Sequence, residues 1–141
     1  MIVKQLSVFL ENKTGRLNDV TEILGKAGIN MTAFSLADNS DFGILRVIVS
    51  DPARALDVLR QNKFAVSLTD VISLQIPNTP GALALVLNIL AKENLYIEYM
   101  YAFSENSGAN VIIRPNQLEA AVDALQRSKV GLAAVDVLYQ F

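Results

Sequence analysis

The chain has 141 residues, a formal net charge of −2, and a composition that is 52% hydrophobic and 18% charged, with no His and no Cys. Those absences exclude disulfides, zinc sites built on Cys or His and Cys redox pairs, and they remove the side chain most often used as a general base near neutral pH. No run of Lys or Arg supplies a basic stripe, and the longest uncharged apolar stretch near a helix, Ala82 to Ala91, falls well short of a bilayer span, so neither nucleic acid nor a membrane is expected as a partner.

Along the chain, Lys4 to Leu10 is apolar and β-rich and runs into a turn at Asn12 to Gly15. Leu17, Val20, Leu24 and Ala27 recur at helical spacing, with Gly28 placed as a C-terminal cap. Two strands, Ile29 to Ala37 and Gly43 to Ser50, flank a polar turn at Asp38 to Asp41. Asp51-Pro52 pairs an N-cap with Pro at the first helical position, opening a helix that turns Leu56 and Leu59 inward and ends near Asn62. Val66 to Thr69 closes the unit. The same order follows again, with strands near 71–76, 95–103, 109–114 and 132–139 and helices near 81–93 and 116–128. Asn116 with Glu119 has capping-box spacing at the start of the last helix.

The second half is a copy of the first. At a shift of 66, Asn12, Gly15, Leu17, Val20, Ile23, Leu24 and Lys26 meet identical residues, seven of 17 positions between 12 and 28. Chance would give about one at typical residue frequencies. Ala55, Asp57, Leu59, Lys63, Asp70 and Val71 meet Ala121, Asp123, Leu125, Lys129, Asp136 and Val137 at the same shift. The expectation is an α+β protein of two tandem ferredoxin-like βαββαβ units, residues 1–70 and 71–141. Each is an antiparallel sheet with its helices on one face, and the two are packed side by side. The edge strands Ile29–Ala37 and Leu95–Phe103 are expected to meet, because pairing removes an aggregation-prone edge.

Many functions use this fold, so the site decides. The first loop has no Cys for a heavy-metal carrier, the third strands carry no stacking aromatics for RNA, and Arg16, the residue an acylphosphatase-like loop would need, is replaced by Ala82 in the second copy. At the first β–α junction the chain resembles the ACT domain family. The signature is an Asn or Asp, then Pro-Gly or a variant, then Leu opening the helix, with a Gly-Ile-Asn type turn into the second strand. Copy one has Asn12, Gly15 and Leu17 with Gly28-Ile29-Asn30, and copy two has Asn78, Pro80-Gly81 and Leu83 with Asn94-Leu95-Tyr96. The resemblance covers essentially the whole chain.

What the resemblance implies is a regulatory protein without catalytic residues, metal or cofactor. It binds a small ligand, an amino acid in the first instance, and acts as a homodimer or on a regulated enzyme in the cytoplasm. The implied ligand site is Asn12, Lys13, Thr14, Gly15, Arg16 and Leu17 with Asn30 and Met31 in copy one, and Asn78, Gly81, Ala82, Leu83 and Tyr96 in copy two. Asn30 is expected beside the first loop. Replacement of the second Asn by Tyr96 sets the two copies apart. Residue chemistry agrees: a helix N-terminus suits a carboxylate, and an Asn amide serves both an ammonium and a carboxylate. Simpler readings stand beside these. Gly15 and Gly81 serve a turn equally well, Asn12 and Asn78 serve as turn formers, and Asp38, Asp41 and Asp51 are explained by a hairpin tip and a helix cap. Tyr99 and Tyr101 suit packing as well as a ligand pocket. The alternative function is an interaction module whose ligand site has decayed. On the helix Ala82–Ala91, Leu83, Leu87 and Leu90 are assigned to the core, leaving Leu85 and Ile89 to be covered from outside.

Overall fold

The computed structural model describes residues 1–38, 41–105 and 108–128. Its elements run β1 Ile2–Glu11, α1 Arg16–Lys26, β2 Met31–Asp38, β3 Phe42–Val49, α2 Pro52–Gln61, β4 Ala65–Pro77, α3 Ala82–Lys92, β5 Ile97–Glu105, β6 Gly108–Pro115 and α4 Leu118–Arg127. The strand expected at 132–139 lies outside the described residues. Contacts divide the described residues into two units, Lys4–Thr69 in one and Met1–Val3 with residues 70–128 in the other. The expected closing strand of copy one and opening strand of copy two are a single 13-residue strand, β4. No Gly or Pro interrupts the chain between Ala65 and Ile76, so nothing forces a turn there.

In the unit Lys4–Thr69 the strand order is β2-β3-β1-β4. Antiparallel pairing sets Leu6 opposite Val47 and Val8 opposite Leu45, and Phe34 and Leu36 of β2 join the same two rows. The core is closed by α1 through Val20 and Leu24 and by α2 through Ala55 and Leu59, packed against Leu6, Val8, Leu10, Leu45, Val47 and Val49. Leu24 and Leu59 are almost wholly buried. Truncating either to Ala would cost about 2–5 kcal/mol through lost transfer energy and the cavity left behind. In the second unit the order is β4-β6-β5, and Ile72, Leu74, Val111 and Ile113 pack against Val86 and Leu90 of α3 and Ala121 and Leu125 of α4. Two expectations fail here. Among the described residues β2 has β3 as its one strand neighbour and β5 has β6, so the predicted β2–β5 pairing is not found there. Ile89 is partly buried against the core and needs no outside cover, whereas Leu85 is 70% exposed.

Helix ends follow local chemistry. Beyond α1, Gly28 sits at φ 71°, its N–H donates to the Gly25 carbonyl at 3.1 Å, and the Ile29 N–H donates to the Leu24 carbonyl at 2.9 Å. That is the paired arrangement of a left-handed C-terminal cap. Asn94 (φ 57°) repeats it after α3, and Lys63 (φ 66°) after α2, without glycine. Asp51 caps α2, its carboxylate accepting the Arg54 N–H at 3.2 Å. The predicted capping box at Asn116 is absent: the Asn116 Oδ1 accepts the Tyr96 N–H at 3.0 Å instead, and the cap position of α4 is Gln117.

Candidate functional site

The loop after β1 is held by its own backbone. The Lys13 N–H donates to the Glu11 carbonyl at 2.7 Å, the Asn12 N–H reaches the Asp41 carbonyl at 3.4 Å, and the Gly15 carbonyl accepts the Asp19 N–H at 2.9 Å. Gly15 has φ 90°, a left-handed conformation that disfavours any side chain, and a Cβ built there would meet nothing within 4 Å. The turn alone therefore requires this glycine, and the space before it is open. Gly81 at φ 86° repeats the feature in copy two. Neither glycine has a capping side chain over the helix that follows.

Strand register assembles a site around this loop. Leu10 and Asp38 both pair with Gly43, and Glu11 pairs with Phe42, so the end of β1, the end of β2 and the start of β3 converge. Together with Leu17 of α1 they form an open cavity of about 440 Å³ lined by Leu10, Glu11, Asn12, Lys13, Leu17, Leu36, Asp38 and Gly43. A Cβ on Gly43 would stand 3.5 Å from the Asn12 Oδ1 and 3.6 Å from the Leu36 Cδ1, so the absent side chain leaves room between them. Three predicted residues, Asn12, Lys13 and Leu17, thus share a cavity. Leu10, Glu11, Leu36, Asp38 and Gly43 were not predicted; the strand register that carries them there is a long-range property. The Lys13 Nζ lies 2.7 Å from the Glu11 Oε2. The Lys13 hydrogen bond and charge hold the Glu11 carboxyl below its ordinary pKa.

Other predicted residues lie elsewhere. Arg16 turns away from the cavity: its guanidinium sits 4.3 Å from the Phe64 ring centroid and 3.6 Å from the Asp19 carboxylate. It lines a separate shallow depression with Asp19, Glu22, Ile23, Lys26, Asn62 and Phe64. Thr14 is exposed in the loop. Asn30 precedes β2, whose first residue Met31 pairs with Val49, while Asp38 at the other end pairs with Gly43. Within this unit Asn30 therefore lies at the end of the sheet away from Asn12, correcting the expectation that the fold sets it beside the first loop. Its backbone is tied to Ser50, with the Asn30 N–H donating to the Ser50 Oγ at 2.9 Å and its carbonyl accepting the Ser50 N–H at 2.9 Å. Met31 packs against the core.

Copy two has a cavity at the matching loop, about 640 Å³, lined by Gln75, Ile76, Pro77, Thr79, Pro80, Gly81, Ala82, Leu85 and Val86. Of the predicted residues it contains Gly81 and Ala82. Asn78 is exposed beside it, and Leu83 is partly buried against the core. Tyr96, which precedes β5, is 64% exposed, and its carbonyl accepts the Asn116 N–H at 3.0 Å. Tyr99 and Tyr101 are half-buried and pair with Arg114 and Ile112. Among the described residues no three His, Cys, Asp or Glu side chains gather as a metal site, and no helix is long and apolar enough to cross a membrane.

Comparison with known proteins agrees with this architecture. The crystal structure of a protein from Bacteroides thetaiotaomicron matches with TM-score 0.95 and 52% identity, covering 100% of this chain and 98% of that one. The ligand-free regulatory subunit of aspartate kinase from Thermus thermophilus matches with TM-score 0.65 and 17% identity, covering 92% of this chain and 97% of that one. Its counterpart from Thermus flavus matches with TM-score 0.61 and 20% identity, covering 91% and 95%. No curated protein matches the chain. A family model described as an ACT domain pair matches residues 1–139. With a duplicated βαββ frame, a glycine turn before the first helix of each copy and that match over nearly its full length, the chain belongs to the ACT domain pair family.

Proposed function

We propose that this protein is a regulatory sensor without catalytic activity of its own, and that it binds a free amino acid in the cavity of copy one. The observation that carries the proposal is the cavity's composition. Glu11 and Asp38 offer carboxylates to an ammonium, Lys13 and the uncapped start of α1 offer positive charge to a carboxylate, and Asn12 serves either group. Leu10, Leu17 and Leu36 provide an apolar wall for a side chain. The volume, about 440 Å³, falls in the range of small-ligand pockets. We take residues 1–70 and 71–141 as the two functional halves and the cytoplasm as the compartment.

The proposal includes a homodimer that completes the site. Among the described residues β2 has a neighbour only on its β3 side; it carries neither Lys nor Pro and exposes Phe34 (61%) and Leu36 (54%). Such an edge invites pairing. If β2 pairs antiparallel with β2 of a second copy, the start of one strand meets the end of the other. Asn30 of the partner subunit then arrives beside the loop of Asn12, a meeting that one copy one unit does not provide. Ligand and assembly are thereby coupled, and an enzyme that recognises one assembly state is the proposed target of regulation.

A thermal-shift panel over the twenty amino acids tests this. A ligand that binds only the folded state at a concentration 100 times its Kd stabilises it by about 2.7 kcal/mol. At least one amino acid is expected to raise the melting temperature. A flat panel would instead favour an interaction module that uses the exposed Phe9, Phe34, Leu36 and Phe42.

A further inference from the structure

We propose that the cavity of copy two takes a different class of ligand: a small molecule with an apolar body and no cationic group. This rests on the reading of these loops as ligand sites and deepens it. At the repeat shift of 66, Glu11, Lys13, Arg16 and Asp19 correspond to Pro77, Thr79, Ala82 and Leu85. In copy one these four form two ion pairs, Glu11–Lys13 at 2.7 Å and Arg16–Asp19 at 3.6 Å. In copy two both pairs are gone and all four positions are uncharged. Every one of the four replacements lines the cavity.

The physical consequence is a change of solvent and partner. The second cavity, about 640 Å³ against about 440 Å³, has walls of Ile76, Pro77, Pro80, Ala82, Leu85 and Val86. Among the described lining residues the polar side chains are one amide, Gln75, and one hydroxyl, Thr79. An ammonium entering it would shed water with no carboxylate among the described lining residues to replace it, so a zwitterion is disfavoured. An apolar body gains by covering Leu85, which is 70% exposed at the rim. The two prolines fix φ and lack N–H groups, giving a wall that neither donates hydrogen bonds nor adapts readily.

The test uses the full chain and a matched pair of probes: 4-methylpentanoate, and leucine, which is the same skeleton with an α-ammonium. In 1H–15N correlation spectra, 4-methylpentanoate is expected to shift the amides of Gly81, Ala82 and Leu85 saturably, at concentrations about tenfold or more below those leucine requires there. The double variant Pro77→Glu, Thr79→Lys restores the charges that line the copy-one cavity, at two exposed positions, so it is expected to fold and to lose the 4-methylpentanoate response. Shifts at these amides that persist when copy one binds no amino acid would uphold this inference while the proposed function fell. Equal responses to the two probes, no response, or an unchanged response in the double variant would overturn it. So would Leu85→Asp turning a dimer into a monomer without any probe response, which would make this face an interface between copies.

Discussion

Gly43→Ala separates stability from binding. Gly43 is buried on β3, outside the left-handed region, and the nearest neighbours of an added Cβ are the Asn12 Oδ1 at 3.5 Å, the Leu36 Cδ1 at 3.6 Å and the Ala37 carbonyl oxygen at 3.7 Å. These are ordinary contacts, so the methyl group enters without strain. Replacing a strand-interior glycine by Ala removes an entropic penalty of about 0.5–1 kcal/mol, and the melting temperature is expected to hold or rise by a few degrees. The same methyl group projects into the cavity between Asn12 and Leu36. A ligand filling that space meets an overpacked wall at a cost of about 1–3 kcal/mol, or roughly 5–150-fold in affinity. Calorimetric titration with the amino acid that gives the largest thermal shift, run beside a thermal melt, reads both quantities. A stable variant with unchanged affinity would refute the placement of the ligand in this cavity. A variant destabilised by more than about 1 kcal/mol would refute the steric reasoning.

Asn12→Ala should lose about 1–3 kcal/mol of binding, the worth of hydrogen bonds to charged groups, with little change in melting temperature; calorimetry on the same ligand checks it. Phe34→Lys puts a charge on the β2 face beside the proposed dimer seam and should shift sedimentation towards monomer and weaken binding, whereas an unchanged dimer would place the interface elsewhere. Gly28→Ala should destabilise by about 1–2 kcal/mol because φ 71° must be kept, and Lys63→Gly should stabilise for the converse reason; denaturant melts measure both. Glu11, held below its ordinary pKa by Lys13, favours the folded state above the unfolded carboxylate pKa, and that contribution is lost as pH falls through the lower folded value. A 13C titration of Glu11 should give a midpoint below that of an ordinary Glu carboxyl, returning upward in Lys13→Ala.

The duplication and the βαββ order were legible because they rest on local signals: Gly15 and Gly81 before helices, helical spacing of Leu17, Val20 and Leu24, and Asp51-Pro52 at a cap. Long-range pairing was not. The side-by-side meeting of β2 and β5 was argued from exposed edges, but among the described residues each has only its hairpin partner, β3 or β6, and an open edge does not name what covers it. Asn12 and Asn30 carry the right chemistry, yet a strand of eight residues separates their ends of the sheet. β1 and β2 both run antiparallel to β3, so strand direction, rather than composition, keeps Asn12 and Asn30 apart. Arg16 follows Gly15 directly, but stacking on Phe64 decides its direction, and Phe64 lies 48 residues downstream. Asn116 has capping spacing, and the Tyr96 N–H takes its side chain first. Asp38 and Gly43 entered the cavity through register, which no local pattern in this chain encodes.

The central claim is that copy one holds an amino acid at the loop of Asn12. Its most direct test is a 1H–15N titration of the full chain with the amino acid that stabilises it most. Saturable shifts are predicted at Asn12, Lys13, Leu17 and Gly43, with the same midpoint as the calorimetric binding curve. Shifts confined to residues outside this cavity, or none with any of the twenty amino acids, would contradict it.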